Sequence, residues 1–323
     1  MAILVDPPRW PAHGTMWAHL VSDVSLEELH AFAAAAGLSP RSFDLDHYDV
    51  PADRVDELVA AGAQLVSGRE LLERLRRSGL RVPGADRRAE RRRRRRARLA
   101  GEWAALGREV LAGAVPDVPG DGAPPDAHEA RPDETWRALG QELLDRWSEP
   151  HRRYHDLAHL EEVLDRLTEL ARHGEPVTAA VRLAAWFHDA VYAGEPGRDE
   201  EESAELARRR LTGVGAGGAT VAEAVRLVRL TASHAVEDDP PGAALCDADL
   251  AILAAPPRRY ARYAADVRAE YAHVPEEEFR AGRGTVLQSL IGRERLFATA
   301  SGRHLWEERA RTNLAAELRD LTT

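Results

Sequence analysis

The stretch LAAWFHDAVYAG, Leu183 to Gly194, sets a histidine and an aspartate side by side, His188 and Asp189, in an otherwise apolar run. Its apolar residues recur at helical spacing, which predicts a helix with a buried face. A carboxylate almost never goes inside unpaired, because losing its water is costly unless a cation or several donors take the water's place. Asp189 directly follows Trp186, Phe187 and His188, so it needs such a partner.

Outward from this stretch, helical period dominates from Asp133 to the end. Segments near 133–148, 156–173, 177–193, 199–212, 219–236, 257–273 and 284–298 each carry apolar residues at helical spacing. β-branched runs are scarce, so 133–323 reads as an all-α domain. Its metal-capable residues come in order: RRYHDLAH with His155 and His159, FHD with His188 and Asp189, TASH with His234, and CDADL with Asp247 and Asp249. Residues four apart stack on one side of a helix, so His155 and His159 can address the same site. Ligands from several helices meeting in a bundle core are an established way to build a metal site. The bland alternative for a lone histidine such as His234 is a hydrogen-bonded core residue. His173 and His273 stand near segment ends without partners and are set aside.

The order H…HD…D across helices resembles the HD superfamily of metal-dependent phosphohydrolases. The longer string RRYHDLAHL…AAWFHDAVY…EEESAELA…TASH…CDADLAIL…YAADVRAEY…GR is similar to a subgroup of predicted HD phosphohydrolases over roughly Asp133 to Leu318. YHDLAH is also similar to the YHNxxH string of cyclic-nucleotide phosphodiesterases, whose second histidine binds metal while the first serves the leaving group. The resemblance implies His159, His188, Asp189 and Asp249 as metal ligands and His155 as the acid. In the family the last aspartate stands in an AD dipeptide before an apolar run, which fits Asp249 better than Asp247. Asp189, as a bridge between two ions, counts with His155 as catalytic, and His234 joins them as a second-metal ligand or phosphate contact. Glu200, in RDEEESAE, occupies a matching family position and completes the catalytic set; its plain reading is an acidic first turn of a helix.

Imidazole nitrogens with carboxylate oxygens suit Mn, Fe, Ni, Co or Zn, and Mg where water and substrate phosphate fill the other positions. One or two divalent ions are expected. A bound cation lowers the pKa of its water and draws charge off a phosphoryl oxygen. Arg152, Arg153, Arg268 and Arg283 are candidates to clamp phosphate oxygens in fork geometry, with Tyr154 beside them in the substrate-binding set. The expected function is hydrolysis of a phosphate ester or anhydride of a small phosphorylated molecule, a nucleotide above all. Two alternatives stand beside it. One is a di-iron oxygenase on the same ligand scaffold. The other is a nucleotide or nucleic-acid binding module whose metal site is not catalytic.

Upstream, 83–132 forms a connection: the arginine run RRAERRRRRRARLAGEW, densest at Arg91 to Arg96, then the Pro/Gly-rich AVPDVPGDGAPPDAHEARPD, which reads as a flexible linker. The run could meet a polyanion, or be a solvated helical face. Residues 1–82 alternate short apolar strands with helices and read as a small α/β domain, giving an α+β two-domain chain. Strands are expected at Ala2 to Asp6, in SFDLD and in AQLVS. Helices are expected after Ser25, near Val50 to Ala61, and after Ser67. MAILVDPPRW…MWAHLVSD…LDHYDV…AGAQLVSGREL resembles a small uncharacterised bacterial domain family (domain of unknown function 4031), a resemblance that brings no activity. Asp6, His19, Asp23, His47 and Asp49 could gather at the strand ends, where α/β sheets bind ligands, or serve as turn and cap residues.

Composition narrows the chemistry. All 44 basic residues are arginine, so Schiff-base chemistry and the P-loop lysine have no amine to use. The single cysteine, Cys246, can form neither an internal disulfide nor a zinc cluster. The net charge of −10 speaks against a general nucleic-acid binder. With no long apolar run and no basic-headed leader, the expectation is a cytoplasmic protein without a membrane span.

Overall fold

The computed structural model describes residues 2–12, 14–112, 132–195 and 197–322. The chain divides into two compact units, Met1–Arg94 and Arg95–Thr323. The expected linker around 114–131 lies outside the described residues.

The first unit is a small mixed sheet with helices on both faces. Strand β1 (Ile3–Val5) is followed by β2 (Trp10–Ala12) and β3 (Thr15–Ser22), then helix α1 (Leu26–Ala35), β4 (Tyr48–Pro51), α2 (Val55–Ala60), β5 (Gln64–Leu65) and α3 (Gly68–Arg77). Strand β3 pairs antiparallel with β2, β1 and β4, and β5 runs parallel to β1. Successive side chains of a strand point to opposite faces, and the packing follows that period. Ile3, Val5, Ala18 and Leu20 meet Leu29, Ala33 and Leu58 of α1 and α2, whereas Leu4 and Val21 meet Leu71 and Leu75 of α3. Ser25 and Ser67 cap α1 and α3 by accepting from the amides of Glu28 and Glu70.

Two features differ from expectation. The β2–β3 hairpin occupies a stretch with no expected element, and the strand expected in SFDLD lies later, at Tyr48–Pro51, taking Val50 from the helix expected near Val50 to Ala61. Leu45 has φ 64°, a left-handed turn within the span closed by the bond from Asp44 N to His47 O, so Phe43 makes only an isolated bridge to Tyr48.

Helix α4 (Arg87–Ala112) carries the arginine run and is continuous across the division between the units. The second unit is helical: α5 (Pro132–Arg146), α6 (Leu157–Arg172), α7 (Ala179–Phe187), α8 (Arg198–Gly213), α9 (Gly218–Leu230), α10 (Pro240–Leu250), α11 (Pro257–Glu270), α12 (Glu276–Gly292) and α13 (Ala300–Thr322). One contiguous apolar cluster fills it, from Leu99 in α4 to Leu314 in α13. Trp103 and Trp136 stack at 4.5 Å, and each indole N–H donates to the other residue's carbonyl. Gly107 and Gly140 make this possible, since a Cβ at either would stand 2.3 Å from the opposing indole ring. Helices α10 and α13 fall outside the segments expected from periodicity, and α12 begins earlier than expected. Helix α10 packs against both α6 and α7, and α6 against α7; those three elements bring the candidate ligands together. Among the described residues no helix is long and apolar enough to cross a membrane.

Candidate metal centre

His159 sits in the first turns of α6, whose start is set by Asp156 accepting from the amide of Ala158. His188 ends α7 and Asp189 follows it, while Asp249 lies in the last turn of α10. Both imidazoles are buried, at 2% and 1% exposure. Their Nε2 atoms are 3.2 Å apart. Asp189 Oδ2 is 3.2 Å from His188 Nε2 and 3.7 Å from His159 Nε2, and Asp249 Oδ1 is 3.1 Å from His159 Nε2 and 3.7 Å from His188 Nε2. His188 Nδ1 donates to the carbonyl of Ala185 at 2.8 Å, which turns Nε2 toward the cluster.

These separations suit a shared cation. Two ligands each about 2.1 Å from one ion, at angles near 90–110°, stand roughly 3.0–3.4 Å apart. Two imidazole nitrogens facing each other inside a protein need something between them, a proton or an ion, because two lone pairs repel. Burial works to lower the His188 pKa, but the charge and hydrogen bond of Asp189, with Asp249 behind, lift it to about 9. Burial pushes Asp189 upward, yet His188 holds it below the usual carboxylate range. The same opposition, with His159, His188 and His234 as partners, holds Asp249 far down. The site is organised for positive charge at its centre.

Around this centre the remaining candidates separate. His234, just past α9 and with φ 51°, directs Nε2 to Asp249 Oδ2 at 2.8 Å. His155 precedes α6; its Nδ1 is 2.7 Å from Glu270 Oε2, and its ring stacks on Tyr192 at 4.3 Å. Tyr154 is a buried wall residue, its ring 4.7 Å from that of His159. Asp247 points away: it accepts from the amides of Ala298 and Thr299 and from the Thr299 hydroxyl, fastening the start of α13. The structure thus brings Asp249, and not Asp247, to the imidazoles.

Five residues expected in catalysis or substrate binding are placed in structural bonds instead. Arg152 is buried, and its guanidinium donates to the carbonyls of His155, Asp189 and Ala190 and to Glu149. It holds the loops of His155 and Asp189 together rather than offering a fork to substrate. Arg268 is spent on Glu276 and the carbonyls of Tyr271 and Val274, and Arg283 on Glu317 and Tyr263. Arg153 donates to the carbonyls of Pro150 and Arg152. Glu200 accepts from the amide of Gly197 at 2.6 Å, closing the first turn of α8.

Sequence reasoning missed Glu270. Its Oε1 accepts from the amides of Arg153, Tyr154 and His155, and its Oε2 faces His155 and the Tyr192 hydroxyl. Burial raises its pKa, but His155 and these amides bring it down to about 2. Asp199 was missed as well: it accepts from the amides of Ala193, Gly194 and Glu195 and shapes the loop after Asp189. YAADVRAEY signals Glu270 only as one acidic residue among many. A cleft of about 840 Å³ meets the cluster at His234 and is lined by Arg293, Arg295 and Arg303 among others. Arginine is so frequent in this chain that nothing in the sequence singles those three out.

Residues 3–78 match the family model described as "Protein of unknown function (DUF4031)". That agrees with the resemblance read for the N-terminal domain and leaves the helical unit without a family match. No curated protein and no solved structure matches the chain.

Proposed function

We propose that the helical unit is an HD-type metal-dependent phosphohydrolase acting on a small phosphorylated molecule of the nucleotide class. The observation that carries the reading is the convergence of His159, His188, Asp189 and Asp249 from three helices, with each imidazole Nε2 3.1–3.7 Å from the other and from an oxygen of each carboxylate. These residues would hold a divalent ion from the Mn, Fe, Co, Ni, Zn and Mg group. When bound, such an ion acidifies water and withdraws charge from a phosphoryl oxygen. His155, its ring fixed by Glu270, hands a proton to the leaving oxygen. Arg152 keeps the His155 and Asp189 loops in register through their carbonyls. His234 steers Asp249 from the cleft side.

Metal analysis of the full chain purified without chelator, joined to a screen of phosphate release over nucleotides, tests the reading. Release that requires the ion and proceeds without oxygen is expected. Turnover only in the presence of oxygen would favour the di-iron alternative. Nucleotide binding with no product under any metal would favour the binding module.

A further inference from the structure

The first unit carries a second histidine–aspartate cluster, built on the sheet. His19 in β3 is the direct cross-strand partner of Asp49 in β4, and His47 precedes β4 by one residue. The rings of His19 and His47 are 4.9 Å apart, His47 Nε2 is 3.4 Å from Asp49 Oδ1, and one ligand atom from each of the three residues lies within 4.8 Å of the others. Asp23, at the other end of β3, is instead tied to Arg74 and the amide of Ala2.

What lifts this cluster above a chance gathering is the set of carboxylates behind it. His19 Nδ1 is 3.2 Å from Asp6 Oδ2, while Asp6 Oδ1 accepts from the His19 amide. His47 Nδ1 is 2.7 Å from Asp46 Oδ1, and Asp46 Oδ2 accepts from Arg81 and from the amide of Val82. Both Asp6 and Asp46 are buried. A carboxylate on Nδ1 fixes the tautomer, orients the ring and makes Nε2 the more basic, metal-seeking nitrogen; most metal-binding histidines are supported in this way. Here two independent histidines have that support, from different strand ends, and both stand beside one half-exposed carboxylate, His19 as its cross-strand partner and His47 with Nε2 3.4 Å from it.

We propose that His19, His47 and Asp49 form a second cation site, for a divalent first-row transition metal with at least one coordination position open to solvent or ligand. Two imidazoles with one carboxylate are a donor set for Zn, Mn, Fe(II) or Co rather than for Ca or Mg. Asp49 is 46% exposed, and the indole of Trp10, itself exposed, stands 5.8 Å from the His19 ring, so the open position faces accessible space beside an aromatic wall. The site stands independently of the reading of the helical cluster. The alternative is a metal-free network in which His47 stays protonated between Asp46 and Asp49.

Cobalt(II) titration of the full chain distinguishes the two. In a chain whose helical cluster is disabled by Asp189→Ala and Asp249→Ala, one cobalt per chain with ligand-field absorption bands is expected. His47→Gln with Asp49→Asn should abolish the bands, and Asp6→Asn, which removes only the support behind His19, should weaken binding by about 10- to 100-fold. No cobalt uptake by the parent, or equal uptake with His47→Gln and Asp49→Asn, overturns the proposal. If the helical substitutions unfold the chain, the same pair is introduced into the otherwise intact protein and bound metal is counted. A stoichiometry lower by one supports the site, and an unchanged one overturns it.

Discussion

The two histidine–aspartate clusters use the same ligand types and differ in what stands behind each histidine. In the helical unit His188 leans on a backbone carbonyl, the imidazoles are sealed from water, and two nearby carboxylates are mostly shielded with them. In the sheet unit each histidine leans on its own buried aspartate and the third ligand is half in solvent. The sheet cluster can balance its charge without an ion, as paired imidazolium and carboxylate. The helical cluster can reach that balance only with both imidazoles sealed from water, where burying charges costs several kcal/mol per ion unless the pairing is close to ideal. Loss of a cation should therefore be felt mostly as loss of stability in one unit and mostly as loss of ligand in the other.

The strongest way to break this comparison is Asp189→Ala. It should abolish metal retention in the helical cluster and bring phosphate release to background, while leaving cobalt uptake by the sheet cluster intact. Chelation of the unaltered protein should destabilise the helical unit, by about 2.7 kcal/mol if the ion had been present at 100 times its Kd. Metal analysis and thermal melts monitored in far-ultraviolet circular dichroism read both effects. Retained metal and turnover in the variant would remove Asp189 from the ligand set.

His155→Ala separates ligand from acid. It should keep the metal and slow turnover by about 10²- to 10⁴-fold, the usual contribution of a positioned proton donor. If this variant lost metal as completely as Asp189→Ala, His155 would be a ligand and the acid role would fall. Glu270→Gln comes next in size. It leaves the hydrogen-bonding shape but removes the charge that faces His155, which should cost about 3–5 kcal/mol as for a buried pair deprived of one partner. The sign of its pH dependence is fixed by the depressed pKa, from an ordinary 4.5 to about 2. The stabilisation is fully present above about 4.5 and is lost as the pH falls toward 2, so the gap in stability between parent and variant should narrow over that window. A gap independent of pH would mean that shape alone matters at this position.

Much of this centre was legible because its signal is local. HD in an apolar run is a physical oddity on its own, and the fold brings it together with His159 and Asp249. His155, by contrast, precedes α6 instead of stacking with His159 on one helix face, and Asp249 is singled out only through the family resemblance. The supporting residues carry no such oddity. Glu270 and Asp199 act on backbone amides far from them or across a turn, and acidic residues are too common to stand out. Helix α10 hid its period because nearly every residue from Gly242 to Ala248 is buried, leaving no polar face to contrast with an apolar one. Helix α13 hid its own under charge. In the first unit the caps Ser25 and Ser67 marked helices well, whereas the β2–β3 hairpin, with Trp10 and Met16 exposed, does not alternate as a half-buried strand should. The arginines of the expected phosphate clamp were misplaced because fork chemistry says what a guanidinium can bind, not which carbonyl or carboxylate reaches it first.

The arginine run gives the smallest expected effect, and the reason lies in the structure. Arg91 pairs with Asp44, Arg93 and Arg94 with Glu90, Arg95 with Glu161 and Arg96 with Asp145, so each half of the run is matched by carboxylates of its own unit. Charges matched in this way, even with Glu90 shared by two arginines, project a weaker field than a bare run would. Replacing Arg91 to Arg96 with a mixed polar, helix-forming sequence should lower stability modestly, since exposed pairs contribute about 0.2–1 kcal/mol each. It should leave kcat/KM for a small nucleotide unchanged from low ionic strength to molar salt. If the run guided a polymer to the helical unit, the replacement would lower kcat/KM at low salt and have little effect near 1 M, where the screening length is about 3 Å. Initial rates measured across that salt range decide it: a loss confined to low salt would restore a nucleic-acid substrate and make the run part of the machinery.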